Sequence, residues 1–131
     1  MGRKYIFPIA FISWMMFVTW ASLYSFGPSQ LPKIHIPYLD KVVHFTFYFV
    51  AAILGLLSFS FLLVKGGARA QKVWWLMGLS LFVYGMGIEV LQHTITSQRT
   101  GDVWDMLANG CGVLLGILLI RRAISLKKGA N

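Results

Sequence analysis

The sequence predicts an all-α integral membrane protein: a four-helix bundle with both termini cytoplasmic, in one domain over residues 1–131. Three observations lead there. Hydrophobic residues make up 57% of the chain and charged residues 12%, with mean hydropathy +0.69, which is a membrane composition. The apolar residues gather into four runs, at about residues 5–26, 42–64, 73–93 and 103–120. Each run, as a helix rising about 1.5 Å per residue, approaches or exceeds the roughly 30 Å of a bilayer core. Lastly, nine of the twelve Lys and Arg residues fall on one side of the topology that these runs define.

Arg3 and Lys4 precede the first run. A cleaved signal peptide is the competing reading. The run is longer than an ordinary signal core and carries Trp14 and Trp20, so a retained span is the better one. Pro8 sits in the first turns, where a missing N–H matters least. Residues 27–39 contain Gly27, Pro28, Pro32 and Pro37 and read as a loop, which also holds Lys33, His35 and Tyr38.

The second run opens behind Asp40, placed as a helix N-cap would be. Asp40, His44, Tyr48 and Gly55 share one helical face. Residues 65–72 form a short basic turn around Gly66 and Gly67. On the third run, Gly78, Gly85, Glu89 and Gln92 share a face. Residues 94–102 are a polar loop with Arg99 and Asp102. On the fourth run, Asp105, Asn109, Gly112 and Gly116 line up, and Gly112-x-x-x-Gly116 suits close helix packing. Cys111 is a lone cysteine, so no internal disulfide forms, and it reads as a small packing residue rather than a nucleophile.

The basic residues orient the helices. Arg3 and Lys4, then Lys65, Arg69 and Lys72, then Arg121, Arg122, Lys127 and Lys128 lie on one side; Lys33, Lys41 and Arg99 lie on the other. The positive-inside rule makes the first side cytoplasmic. The +8 charge and pI near 10 then need no nucleic-acid partner, because the cations flank apolar runs and form no soluble basic face.

All four acids (Asp40, Glu89, Asp102, Asp105) and all three histidines (His35, His44, His93) fall at the opposite, outer end. An acid in hydrocarbon costs about 2.5–3.5 kcal/mol at mid-membrane and less near the interface. The polar faces must therefore turn toward each other, and His44, Glu89, Gln92, Asp105 and Asn109 would line one outward-opening pocket, with Arg99 as counter-charge. Three readings stay open. The group could lock the bundle together. It could bind the headgroup of an envelope lipid or glycan, with Arg99 on a phosphate or carboxylate. It could be catalytic, with His44, Glu89 or Asp105 moving protons. Recognition is preferred and an intramembrane enzyme is the alternative. No resident cofactor is expected. A divalent metal on His44, Glu89, His93 and Asp105 is considered, but no compact motif such as H-E-x-x-H supports it.

Asp40-Lys41-x-x-His44-Phe45, then Gly85-x-x-x-Glu89-x-x-Gln92, then Arg99, then Asp105-x-x-x-Asn109-x-x-Gly112-x-x-x-Gly116 resembles the VanZ-like family of small bacterial membrane proteins. The resemblance covers about residues 40–116 and leaves out the first helix. It implies a multi-pass protein of the bacterial cytoplasmic membrane. It carries an association with low-level resistance to teicoplanin-type glycopeptides but no particular reaction. The family's polar positions match Asp40, His44, Glu89, Gln92, Arg99, Asp105 and Asn109. The partner expected is a membrane lipid or a cell-envelope glycan or lipid precursor, and a homo-oligomer is compatible with the sequence.

Overall fold

The computed structural model describes residues 5–24, 38–95 and 103–129. They form five helices: α1 (Ile6–Leu23), α2 (Leu39–Ser58), α3 (Ser60–Lys65), α4 (Gly67–Ile95) and α5 (Val103–Gly129), with no strand among the described residues. Four of them, all but α3, are long and apolar enough to cross a membrane.

Helix boundaries depart from the sequence expectation in four places. Asp40 is not a cap. The cap position falls to Tyr38 in left-handed geometry (φ 65°), and Asp40 lies in the first turn of α2. There its carboxylate still faces the positive end of the helix dipole. The second apolar run is split at Phe59, where φ is −108° and ψ 17°. The Ser58 hydroxyl donates back to the Leu54 carbonyl at 2.9 Å, a bond that competes with the helical ladder and bends it. The basic turn is much shorter than residues 65–72. Gly66 and Gly67 make it with φ of 75° and 78°, and α4 starts at once. Ala68, Ala70, Gln71 and Lys72 are good helix formers, so the polar stretch is helical rather than looped. Similarly, α5 runs past residue 120 to Gly129 as a basic helix.

The tightest pairing is α2 against α5. A Cβ on Gly112 would run into the Phe45 carbonyl and come within 3.0 Å of Phe49 N; one on Gly116 would lie 2.8 Å from Ala52 Cβ and 3.0 Å from Phe49 O. The two glycines let backbone meet backbone, which is how small residues drive association where no hydrophobic effect acts between helices. Tyr48, Ala51, Ala52, Leu81 and Val113 fill the centre.

Helix α1 is held by polar bonds as well as by packing. Trp14 Nε1 donates to Phe47 O at 2.9 Å, and Thr19 hydrogen-bonds Tyr84 OH. Gln92 Nε2 donates to Ser22 O at 2.8 Å. Cys111 corrects another expectation: it is exposed on the outside of α5 and packs nothing inside.

Candidate functional site

The C-terminal turns of α1 and α4 and the N-terminal turns of α2 and α5 meet at one end of the bundle. The shared faces read from the sequence point inward there. His44, Glu89, Gln92, Asp105 and Asn109 are each more than nine-tenths buried.

Their contacts cross three helices. His44 Nδ1 lies 3.1 Å from Asn109 Oδ1 and 3.3 Å from Glu89 Oε1. Lys41 Nζ donates to Asp105 Oδ1 at 3.1 Å and to Asp40 Oδ2 at 3.0 Å. Donor atoms of His44, Glu89 and Asp105 all lie within 4.8 Å of one another. Deeper along the same stripe, Tyr48 OH and Asn109 Nδ2 are buried and have no hydrogen-bond partner among the described residues. Gly85 makes room for both groups, since a Cβ there would stand 3.2 Å from the Tyr48 ring and 3.3 Å from Asn109 Nδ2.

A cavity of about 370 Å³ opens beside this group, between α1 and α2. Ser22, Asp40 and His44 give it a polar side, and Ala21, Leu39, Val43 and Phe47 an apolar one. Chemically, the cluster offers an imidazole, two buried carboxylates and an amide. It can exchange hydrogen bonds with a polar group, hold a cation or shuttle a proton.

Not every expected residue takes part equally. Asp40 sits at the rim with its side chain half exposed, paired to Lys41. His93 is exposed and stands apart from the cluster. Arg99, Asp102 and His35 lie outside the described residues.

The family model described as VanZ/LLP1 matches residues 3–125. The chain belongs to that family. The VanZ/LLP1 match and the four apolar helices make it a multi-pass membrane protein. No curated protein and no solved structure matches the sequence. The match also extends the resemblance read from residues 40–116, because it takes in α1.

The geometry explains why α1 belongs. The Ser22 backbone carbonyl accepts from the buried Gln92 and Ser22 lines the cavity, although nothing in a serine near the end of an apolar run marks it. Lys41 was also missed as a site residue, because it stands one position off the Asp40–His44 stripe. Its signal was a cation at the start of an apolar helix that carries no other.

Proposed function

We propose that this VanZ/LLP1 protein recognises the polar headgroup of a cell-envelope lipid or glycan. It does so at the outer face of the bacterial cytoplasmic membrane, with both termini in the cytoplasm. The observation that carries the reading is the buried polar cluster of His44, Glu89, Asp105 and Asn109 beside a cavity with one polar and one apolar side. An occupant of that cavity must itself be amphipathic, as a lipid is at the level of its headgroup. Lys41 and, from the sequence, Arg99 supply cations for a phosphate or carboxylate. The family's association with glycopeptides of the teicoplanin type is consistent with a ligand among envelope precursors.

A second reading, an intramembrane enzyme acting on such a molecule, draws on the convergence of His44, Glu89 and Asp105. Complementation of a deletion phenotype, such as altered glycopeptide susceptibility, separates the two when protein levels in the membrane are matched. Glutamine at position 44 can hydrogen-bond but cannot shuttle a proton. Recognition therefore predicts that Arg99→Ala is more severe than His44→Gln. A silent Arg99→Ala beside a dead His44→Gln would remove recognition and promote the enzyme. Activity that falls only as far as folded protein falls would reduce the cluster to a structural lock.

A further inference from the structure

We infer that His44, Glu89 and Asp105, with Asn109 beside them, form a binding site for one divalent transition-metal ion. The inference deepens the recognition reading and rests on the same cluster. Three helices each contribute one buried donor residue: α2 gives His44, α4 gives Glu89 and α5 gives Asp105, and their donor atoms lie within 4.8 Å of one another.

Two of the spacings are those of a coordination shell. Donors about 2.0–2.2 Å from an ion stand roughly 2.8–3.6 Å from their neighbours in octahedral or tetrahedral geometry. His44 Nδ1 is 3.3 Å from Glu89 Oε1 and 3.1 Å from Asn109 Oδ1. Hydrogen bonding alone accounts for this less well. A neutral imidazole has one proton to give at Nδ1, and two acceptors stand within reach of it. An ion would accept lone pairs from all three atoms at once. Asn109 adds a further oxygen: it is almost fully buried and turns Oδ1 toward His44 Nδ1.

Lys41 does not block the site. It bonds Asp105 Oδ1, and a carboxylate has a second oxygen to offer. Lys41 then acts as an outer-shell partner that fixes the carboxylate's orientation. One imidazole with carboxylate and amide oxygens suits Zn²⁺, Mn²⁺ or Fe²⁺ better than the all-oxygen ions Mg²⁺ and Ca²⁺. The ion would add positive charge beside the cavity, where a headgroup phosphate or carboxylate could meet it.

The test uses the full chain, purified without a histidine tag in mild detergent and analysed by elemental mass spectrometry. The expected result is one Zn²⁺ or Mn²⁺ per chain. Chelation should lower the thermal midpoint, and adding Zn²⁺ or Mn²⁺ should restore it where Mg²⁺ does not. Glu89→Gln and His44→Gln should lose the ion, whereas His93→Gln, altering the exposed histidine of the same helix, should keep it. If the site variants fail to fold, the chelation and re-addition cycle on the unaltered chain decides. The inference is overturned by a chain that holds no ion and does not shift with Zn²⁺ or Mn²⁺. It is equally overturned if His93→Gln loses as much metal as His44→Gln. A metal-free chain in which Arg99→Ala still abolishes complementation would end the metal site and leave headgroup recognition standing.

Discussion

Replacing Gly112 by alanine should damage both the bundle and its polar site, and the structure sets the scale. The added methyl would collide with the Phe45 carbonyl and stand 3.0 Å from Phe49 N, both backbone atoms of α2 that cannot rotate away. Ordinary carbon contacts need about 3.5–4.0 Å, so α2 and α5 must separate by roughly 0.5–1 Å or more at that level. Overpacking of this kind costs about 1–3 kcal/mol. Asn109 is one turn away, and its 3.1 Å contact with His44 would stretch beyond hydrogen-bonding distance. Gly87→Ala is the matched control. Nothing lies within 4 Å of a Cβ there, so the helix gains about 0.5–1 kcal/mol from lost backbone freedom in the unfolded chain. Thermal unfolding in detergent reads both variants. Gly112→Ala should melt well below the parent and Gly87→Ala at or above it. Equal midpoints for the two would refute the close α2–α5 contact.

Other predictions follow from single contacts. Lys41→Met and Asp105→Asn should each destabilise, and the double mutant should lose about 1 kcal/mol less than the sum, because the pair is largely buried but Lys41 keeps a quarter of its side chain exposed; strictly additive losses would mean that the two do not interact. Trp14→Phe keeps the ring and removes the bond to Phe47 O, so unfolding should register a loss of about 0.5–1.5 kcal/mol. In a Cys111→Ser background, cysteines placed in residues 27–37 or 96–101 should react with an impermeant reagent on intact cells, and one at Arg69 should not. Labelling at Arg69 from outside would reverse the orientation and the functional proposal with it.

Much of the fold could be read from hydropathy, because a bilayer demands long apolar helices and little else competes with that signal. The inward faces were equally legible. Asp105, Asn109, Gly112 and Gly116 are spaced for one stripe, and all four are buried. What the sequence hid was local or relational. Hydropathy falls at Lys65–Lys72 and after Ile120, yet helix propensity starts α4 already at Gly67 and carries α5 on to Gly129 through those basic segments. The break at Phe59 lies inside an apolar run with no proline or glycine at it to mark it. Within the site, spacing selected His44, Glu89 and Asn109 but could not show that Lys41 would reach Asp105, sixty-four residues away. Ser22 contributes a backbone carbonyl, which every residue has, so no side-chain pattern could have named it.

Native mass spectrometry of the chain extracted in mild detergent tests the central claim most directly. The comparison is with Val43→Trp, which should fill the cavity beside His44 while leaving every side chain of the polar cluster unaltered in sequence. Recognition predicts that the unaltered chain retains one class of envelope lipid or precursor well above its share of the membrane. It also predicts that Val43→Trp, folded to the same extent, loses that class. Adduct masses that mirror the bulk membrane and stay the same in both proteins would contradict the account.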